Sequence, residues 1–342
     1  MRTILLVLFV GAAACAPAAS SPSASPSAVT SVTPAATTAV PSATPSATPA
    51  STLTSGTSAT PIPLPSTAQV AAAGNGVVLA LVADTHLFRS TDRGTTWAER
   101  SLPPGAGTLQ VAFVNDVNGF AIRLSPPATQ CQAQGVATYR TTDGAATWLP
   151  VGASADTAQC KTSLAFVDTT HGYMTSSDPN HAPSIWRTTD GGATWLASQL
   201  PDPPGFTTTA GTSLQAGNVA DFANVLFADA FGPVSGVMKH FVYRSTDRGA
   251  TWSYTSTALQ STSIVFLTST RWLQIFLPND SRVTTDGGQT WAFFASDYSQ
   301  AAPVDPQIVF GDANTGYASV RGSIQRTTDG GAHWTAIRTP GT

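Results

Sequence analysis

Short segments in which apolar and polar residues alternate follow one another from about residue 69 to the C-terminus. Examples are SLAFVD, GYMTS, SIWRT and WLASQL, at residues 163–168, 172–176, 184–188 and 195–200. Alternation with a period of two residues is typical of β-strands that have one buried face. Strands of about five residues are common in globular proteins. The pattern therefore predicts an all-β domain of short strands, with no evident helix.

One eight-residue segment, which we call the Asp box, recurs between these strands with the pattern S/T-x-D-x-G-x-T-W. Its six copies occupy residues 90–97, 141–148, 188–195, 245–252, 284–291 and 327–334. Two copies depart from the pattern, because Ala145 replaces the glycine in the second and His333 replaces the threonine in the sixth. We expect the turns of these two copies to be looser than the others.

The spacing of the boxes indicates how the strands are organised. Their aspartates are separated by 51, 47, 57, 39 and 43 residues. Repeats of about 40–50 residues with turn chemistry in each are typical of β-propellers, with one blade per repeat. Residues 69–342 are therefore predicted to form a propeller of six four-stranded blades. Seven blades are the alternative, although the extra blade would have to fit within residues 198–226.

The residue types of the box indicate a structural role. An aspartate accepts hydrogen bonds from backbone N–H groups of the turn that follows it, and glycine suits a position with positive φ. The tryptophan buries a large ring between neighbouring sheets. The residues predicted to act in this way are Asp92, Trp97, Asp143, Trp148, Asp190, Trp195, Asp247, Trp252, Asp286, Trp291, Asp329 and Trp334.

A second pattern, F-x-D-x-x-x-G followed by an aromatic residue, precedes most boxes and is clearest at residues 166–173 and 310–317. Residues 113–120 carry a variant whose aspartate is one residue off register, and degenerate versions begin at Phe227 and Phe266. Together the two patterns resemble the BNR, or Asp-box, repeats of sialidase-like propellers and the propellers of photosystem II assembly factors. The resemblance covers residues 69–342 and implies a β-propeller.

The order of strands in such a blade separates two faces. The first and third turns, which include the glycine turn and the Asp box, share one face, and the second turns and blade connections share the other. Irregular loops at 124–137, 176–184, 198–223 and 296–305 fall on this second face. Because binding residues usually lie on loops held by a rigid scaffold, the aromatic residues Phe206, Phe222 and Tyr298 are candidate ligand-binding residues, with packing as the alternative.

The N-terminus has the features of a bacterial lipoprotein signal peptide. Arg2 is followed by the short apolar run ILLVLFVGAAA, and residues 12–15, AAAC, resemble a lipobox. This resemblance implies a lipoprotein signal peptide over residues 1–15 that ends at Cys15, which becomes lipidated after cleavage, whereas an ordinary signal peptide would leave Cys15 removed or inert. Residues 16–68 consist largely of Ser, Thr, Pro and Ala without charge, which predicts a disordered tether. The predicted location is extracytoplasmic, at the bacterial cell membrane.

Two cysteines remain once Cys15 is assigned to lipid. Cys131 and Cys160 fall on the same predicted face, between neighbouring blades, and an extracytoplasmic compartment permits a disulfide between them. The alternatives are two free thiols or a pair reserved for a metal.

Charge and histidine spacing argue against several kinds of site. The formal net charge is −3 and no basic patch stands out, so nucleic acid is not an expected partner. The five histidines are scattered without metal-ligand spacing, and no glycine-rich phosphate loop precedes a helix. We therefore expect no metal site and no cofactor.

The sialidase resemblance implies a glycoside hydrolase with three substrate-binding arginines, a Tyr–Glu pair and an acid/base aspartate. Glu99 is the only glutamate and falls on a predicted outermost strand, away from a central site. Five arginines stand beside Asp boxes, which favours a role in each blade, such as pairing with the box: Arg89, Arg140, Arg187, Arg244 and Arg326. Both observations disfavour catalysis.

The sequence thus favours a monomeric, non-catalytic binding protein or assembly scaffold that presents one propeller face to an envelope or membrane protein. The alternative is a glycan-binding protein or a sialidase-like glycoside hydrolase of the cell envelope, whose partner would be a polysaccharide.

Overall fold

A computed structural model describes residues 67–259, 261–276, 280–300 and 305–341. The predicted signal peptide with Cys15 and nearly all of the predicted tether lie outside these ranges. All the described residues belong to one compact part of the chain. Within the described ranges no helix has the length and apolar character needed to cross a membrane.

The strands follow one another in antiparallel groups of four, which we call units. Unit 1 contains β1 (Ala68–Gly74), β2 (Val77–Val82), β3 (His86–Ser90) and β4 (Ala98–Arg100). Unit 2 contains β5 (Thr108–Phe113), β6 (Gly119–Leu124), β7 (Gln134–Thr141) and β8 (Leu149–Thr157). Unit 3 contains β9 (Cys160–Phe166), β10 (Gly172–Ser177), β11 (Ser184–Thr188) and β12 (Leu196–Gln199).

The second half of the domain repeats this order. Unit 4 contains β13 (Gln215–Phe222), β14 (Val225–Val234), β15 (Val237–Ser245) and β16 (Ser253–Thr257). Unit 5 contains β17 (Val265–Phe266), β18 (Trp272–Gln274), β19 (Arg282–Thr284) and β20 (Ala292–Phe293). Unit 6 contains β21 (Gln307–Phe310), β22 (Gly316–Val320), β23 (Ser323–Thr327) and β24 (Thr335–Ile337). A short 3₁₀ turn, Thr129–Cys131, lies between β6 and β7.

The first strands of the units surround a common centre. β1 contacts β5, β5 contacts β9, β9 contacts β13, and β17 contacts β21. β21 contacts β1, and the backbone N–H of Val70 donates to Oε1 of Gln307 at 2.9 Å, so unit 6 packs against unit 1. Units 3 and 4 are joined into one eight-stranded sheet by the pairing of Ser177 with Gln215. The chain is an all-β propeller, as the sequence predicts.

The tryptophan of each Asp box packs against the preceding unit. Trp148 of unit 2 lies in a cluster with Leu79 and Leu87 of unit 1, and its Nε1 donates to the Ser101 carbonyl at 2.8 Å. Trp252 of unit 4 packs in the same way against unit 3, Trp334 against unit 5, and Trp97 against unit 6. Because an indole ring buries a large apolar area, these contacts bind each unit to its neighbour.

The F-x-D-x-x-x-G pattern is explained by the turn between the first and second strands. In unit 3, Phe166 pairs with Gly172, and a Cβ atom on this glycine would lie 2.5 Å from the Phe166 ring. Oδ1 of Asp168 accepts the backbone N–H of Thr170 and of His171, each at 2.7 Å. The glycine therefore leaves room for the ring, and the aspartate closes the turn.

The equivalent turn of unit 2 corrects the sequence interpretation of residues 113–120. Asn115, rather than Asp116, occupies the position of the aspartate, and its Oδ1 accepts the backbone N–H of Val117 and Asn118 at 3.1 and 2.8 Å. An amide oxygen accepts these hydrogen bonds as a carboxylate does. The pattern is thus in register, with asparagine replacing aspartate.

The structure also corrects the boundaries predicted in unit 4. Phe227 lies within the second strand, β14, and does not end the first strand. The first strand, β13, falls inside residues 198–223, which the sequence analysis assigned to a loop, so that loop shortens to residues 200–214. The error arose because the turn after β13 consists of Ala223 and Asn224, both with positive φ, and carries no F-x-D-x-x-x-G signal.

Candidate functional site

The Asp boxes lie between the third and fourth strands and form a self-contained network of hydrogen bonds. In unit 2 the Thr141 hydroxyl donates to Oδ1 of Asp143 at 2.8 Å, and the Thr147 N–H and hydroxyl donate to the two oxygens of Asp143 at 2.9 and 2.6 Å. The hydrogen bond from the Thr147 side chain is the main cause that lowers the pKa of Asp143 to about 2. A carboxylate engaged in this way stabilises its own turn.

The two divergent boxes keep the same hydrogen bonds, so the expectation of looser turns is not supported. Ala145 adopts φ +69° and still donates its N–H to Oγ1 of Thr141 at 3.0 Å. His333 replaces the threonine hydroxyl with its Nδ1, which lies 2.5 Å from Oδ2 of Asp329. The hydrogen bond with this carboxylate raises the pKa of His333.

Two of the five arginines beside the boxes, Arg89 and Arg326, bind backbone carbonyls of neighbouring units. Nη2 of Arg89 in unit 1 donates to the Asp116 carbonyl of unit 2 at 2.8 Å. Nη1 of Arg326 in unit 6 donates to the Arg93 carbonyl of unit 1 at 2.9 Å. In the described part of the chain, no arginine forms an ion pair with a box aspartate. The face that carries the boxes is therefore occupied by structural contacts.

The opposite face, which we call the loop face, carries the second turns and the connections between units. Three of its loops, 125–133, 178–183 and 200–214, contact one another. Cys131 in the first loop is disulfide-bonded to Cys160 at the start of β9. Nδ2 of Asn180 donates to Oε1 of Gln130 at 3.4 Å, and the Gly211 N–H donates to the Pro179 carbonyl at 2.9 Å. These contacts brace the loops of units 2 and 3 against the connection to unit 4.

Within the loop at 178–183, Asp178 orders the backbone. Its Oδ1 accepts the N–H of Asn180 at 2.8 Å and of His181 at 3.1 Å. The Ser213 hydroxyl, from the third loop, donates to the Asp178 carbonyl. The side chain of His181 is 70% exposed, so it projects into solvent from an ordered loop.

The structure argues against a ligand-binding role for the three candidate aromatic residues. Phe206 is 8% exposed and packs with Leu200 and Leu214, and Tyr298 is 1% exposed with its ring edge-on to Trp334. Phe222 ends the first strand of unit 4, on the box face, where it packs beside Phe227. The sequence analysis selected these residues because they are aromatic and lie on predicted loops, but packing explains all three.

A cavity of about 300 Å³ runs between the first strands of all six units. Toward the loop face it adjoins a cavity of about 190 Å³ that is lined by residues of units 3, 4, 5 and 6. We call this second cavity the channel mouth. Its polar and aromatic lining includes Gln215, Asn218, Asp229, Phe231, Ser263 and Gln307. Its polar side chains are mostly amides and hydroxyls, and they stand among apolar ones, so the mouth favours uncharged ligands with both polar and apolar groups.

A buried Asp–His pair stands beside the channel mouth. Asp229 and His240 are each 1% exposed, and Oδ2 of Asp229 lies 3.1 Å from Nδ1 of His240. Oδ1 of Asp229 accepts the N–H of Asn218 at 2.7 Å. The ring of Phe231 stacks on His240 with centroids 4.9 Å apart. In the described ranges no partner contacts Nε2 of His240, although this atom is buried.

Gly217 makes room for this pair. The register of β13 against β14 shifts between Ala216 and Val219, and a Cβ atom at Gly217 would lie 2.1 Å from Oδ1 of Asp229. A bulge at a glycine is a common way to admit a side chain between strands. The sequence analysis missed this pair. The sequence did contain a signal for it, namely the two-residue turn Ser235–Gly236. This turn determines the register of the hairpin, and that register places Asp229 diagonally opposite His240.

Asp229 is the one acidic residue among the described residues that line the two cavities, and both of its oxygens are engaged. Asp305 lies beside the mouth as a second carboxyl group, since it accepts a hydrogen bond from the backbone of the lining residue Ser263. Glycoside hydrolysis by the usual mechanisms needs a second carboxyl group across the scissile bond. Glu99 lies on β4, where Oε1 contacts Nδ1 of His86 at 2.9 Å, far from the first strands.

Comparisons with solved structures found similar chains of low sequence identity. YCF48 bound to D1 peptide is 16% identical, with 81% of this chain and 82% of that chain covered and a TM-score of 0.47. YCF48 from Cyanidioschyzon merolae is 17% identical, with 82% and 88% covered and a TM-score of 0.49. The α-L-arabinofuranosidase Arb93A from Fusarium graminearum, in complex with an iminosugar inhibitor, is 12% identical, with 81% and 94% covered and a TM-score of 0.51.

No match was found among curated proteins. The family model of the DUF6242 beta propeller domain matches residues 33–281, which is more than half of the chain. The repeating units, the closed ring and this match agree with one another. The chain therefore belongs to the DUF6242 beta propeller domain family.

Proposed function

We propose that this chain is an extracytoplasmic, lipid-anchored, non-catalytic binding or assembly-scaffold protein. It presents the loop face of its propeller to a protein of the envelope or membrane. Cys15 is the proposed lipid attachment site, and residues 16–68 hold the propeller away from the bilayer. Acyl chains supply membrane affinity at about 0.8 kcal/mol per buried CH₂.

The bracing of the loop face is the observation that carries this proposal. The loops at 125–133, 178–183 and 200–214 are joined by the disulfide and by direct hydrogen bonds. A surface whose loops are already ordered loses less conformational entropy when it binds a partner. The box face, by contrast, uses its polar groups for contacts within and between units.

The composition of the loop face fits a protein partner that binds by shape and neutral polar contacts. The three braced loops are rich in Pro and Thr, and their charged residues are Asp178 and Asp202. Strong electrostatic attraction needs clustered charge of one sign. Binding to this face is therefore expected to depend only weakly on ionic strength.

The test is cross-linking in native membranes, followed by purification of the full chain and identification of partners by mass spectrometry. The variant for comparison shortens residues 201–212 and keeps β13. The matched control carries Asp116→Ala, an exposed change on the box face. The proposal predicts a reproducible membrane-protein partner that the shortened variant loses and the control keeps. Equal recovery with all three chains, or no partner with any, would refute it.

A second candidate function, glycan binding, is favoured by the channel mouth. Phe231 is half-buried beside three amide side chains, and an apolar ring among amides suits a sugar. Replacing Phe231 with Ala should abolish retention of envelope polysaccharide by the purified chain, if this function is the real one. Retention unchanged by Phe231→Ala and by Asn218→Ala would exclude the mouth as a glycan site.

A further inference from the structure

Two Asn–Gly dipeptides occur in the sequence, at residues 75–76 and 118–119, and four Asp–Gly dipeptides lie in the Asp boxes. In such a dipeptide the main-chain nitrogen of the glycine can attack the side-chain carbonyl carbon of the preceding residue and close a succinimide ring. Glycine permits this attack because it has no Cβ atom to hinder the approach. The two groups react only when other contacts leave them free, so hydrogen bonding distinguishes the reactive dipeptides from the protected ones.

The Asp–Gly dipeptides of the boxes are engaged at both groups. In unit 2 the carboxylate of Asp143 accepts hydrogen bonds from Thr141 and Thr147, and the N–H of Gly144 donates to the Val117 carbonyl at 2.9 Å. The glycine N–H groups of the other three donate to the glycine turn of their own unit at 2.8, 2.9 and 2.9 Å: Gly191 to Thr170, Gly287 to Thr270 and Gly330 to Asn314. The boxes are therefore protected from this reaction.

The Asn–Gly dipeptide at residues 118–119 is engaged as well. Asn118 is half-buried, and its Nδ2 donates to Oδ1 of Asn115 at 3.1 Å. Gly119 begins β6, where it pairs with Phe113 on one side and with Thr141 on the other. Reaction at Asn118 thus requires β6 to open locally.

The Asn–Gly dipeptide at residues 75–76 differs from the other five. Asn75 and Gly76 form the two-residue turn between β1 and β2, with φ values of 51° and 78°. Such a turn needs positive φ at both positions and therefore favours Asn–Gly. Asn75 is exposed, and among the described residues no hydrogen bond involves its side chain or the N–H of Gly76. Both reacting groups are thus available to each other and to water.

We propose that Asn75 is a site of spontaneous deamidation. The nitrogen of Gly76 forms a bond to Cγ of Asn75, and its proton leaves with the side-chain amide as ammonia. Water, the co-reactant, then adds to one of the two carbonyl carbons of the succinimide and breaks the bond from that carbon to nitrogen. Cleavage at Cγ gives aspartate, and cleavage at the main-chain carbonyl gives isoaspartate.

The modified turn adjoins the contact that closes the ring. The N–H of Arg93 donates to the Gly76 carbonyl at 2.9 Å, and the Arg93 carbonyl accepts Nη1 of Arg326 from unit 6 at 2.9 Å. A Cβ atom at Gly76 would lie 3.8 Å from Nε of Arg93, so the new negative charge forms close to this arginine. Isoaspartate also inserts a methylene group into the main chain, which a two-residue turn accommodates only if the Gly76 carbonyl moves. Isoaspartate therefore loosens the contact between units 6 and 1, whereas aspartate leaves it in place.

The test is incubation of the full chain in mildly alkaline, isotopically labelled water, followed by proteolysis and mass spectrometry of the peptides. Hydrolysis of the succinimide places one labelled oxygen at residue 75. Asn118 of the same chain is the internal control. We expect its label to appear at least about tenfold more slowly, which corresponds to a barrier higher by roughly 1.4 kcal/mol.

Two variants separate the causes. Asn115→Ala removes the acceptor of the Asn118 amide, so labelling should become faster at residue 118 and stay unchanged at residue 75. Asn75→Gln should abolish labelling at residue 75, because a glutamine side chain must close a larger ring. Circular dichroism checks that each variant retains its sheet structure.

The effect on ring closure is measured with the isoaspartate form, isolated from aged protein by ion exchange. It should melt at a lower temperature than Asn75→Asp, which carries the same charge on an ordinary main chain. Equal melting temperatures would overturn the effect on ring closure.

No label at residue 75, or equal labelling at residues 75 and 118, overturns the proposal. Isoaspartate that forms in the boxes as fast as at residue 75 also overturns it, because hydrogen-bonded dipeptides would then react as readily as the free one. The inference is independent of the proposed function, which concerns the loop face and not this turn.

Discussion

At the residue scale, each Asp box is held by a carboxylate that accepts hydrogen bonds from its own turn. The sequence predicted this role for the aspartate, the glycine and the tryptophan, because turn chemistry is local and repeats six times. It did not predict the role of the Ser or Thr that opens each box. The hydroxyl oxygen of this residue accepts the N–H of the residue four positions later, as Ser245 does for Gly249 at 2.8 Å. Nor could it predict Asp229 with His240, since that contact occurs once and depends on strand register.

Replacing one box carboxylate should destabilise the propeller without changing its fold. Asp143→Ala removes acceptors for the N–H and hydroxyl of Thr147 and for the hydroxyl of Thr141. A loss of about 1–2 kcal/mol is expected, given that the site is exposed. Urea denaturation measures it, with Asp116→Ala as a control of equal charge change. A control that loses as much stability as Asp143→Ala would contradict the structural role.

Acid should destabilise the propeller through the same carboxylates. Hydrogen bonds from Thr147 and Thr251 are the main cause that lowers the pKa values of Asp143 and Asp247 to about 2, against 3.8 for a free side chain. Stability from a lowered carboxyl pKa is present above the unfolded value and is lost as the pH falls through the folded value. The melting temperature should therefore fall between about pH 4 and pH 2, and less steeply in Asp143→Asn.

The contribution of His333 to stability should depend on pH in the opposite direction to that of the box aspartates. Its pKa is raised by the hydrogen bond with Asp329, so its contribution is complete below the unfolded pKa of 6.5 and disappears as the pH rises through the folded value. His333→Thr restores the residue of the other boxes and should remove this part of the pH dependence. Melting temperatures measured from pH 5 to 9 check it. Identical profiles for the two chains would contradict the role of His333.

At the scale of elements, the alternating pattern predicted the strands of unit 3 closely, since SIWRT coincides with β11 (Ser184–Thr188). Unit 4 was less predictable. Its first turn lacks the glycine and aspartate signals, and its Asp229 resembles a turn aspartate in sequence while lying inside β14. The loops at 125–133, 178–183 and 200–214 were placed on the correct face, because strand order determines the face, but their contacts with one another depend on packing that no local pattern records.

The disulfide between the loop at 125–133 and the start of β9 should contribute to stability. Cys131 and Cys160 are 29 residues apart. Closing a loop of this length is worth roughly 3–4 kcal/mol in the chain-entropy model. The Cys131→Ser, Cys160→Ser chain should therefore unfold at lower urea concentration. If its midpoint equals that of the unmodified chain under oxidising conditions, the bond does not form in solution.

The bulge at Gly217 should be sensitive to a single methyl group. Gly217→Ala places Cβ against Oδ1 of Asp229 and should cost about 1–3 kcal/mol of stability. Asp229→Gly should reduce stability less in the Gly217→Ala chain than in the unmodified chain, because the new methyl group at position 217 and the Asp229 carboxylate would compete for the same space. Additive costs in the double-mutant cycle would contradict the direct contact.

At the scale of the whole molecule, the ring gives two faces with different chemistry. One is filled by glycine turns, Asp boxes and arginine bridges such as that from Arg326 to the Arg93 carbonyl. The other carries the braced loops and the channel mouth. A repeat pattern is enough to predict this division, whereas the ligand of the loop face depends on residues that differ from unit to unit.

The most direct test of the account is photo-cross-linking from the two faces in native membranes. A photoreactive amino acid replaces exposed Ala210 on the loop face in one chain and exposed Thr169 on the box face in another. The account predicts a discrete adduct with a membrane protein from position 210 and none from position 169. An adduct only from position 169 would contradict the assignment of the loop face as the binding surface.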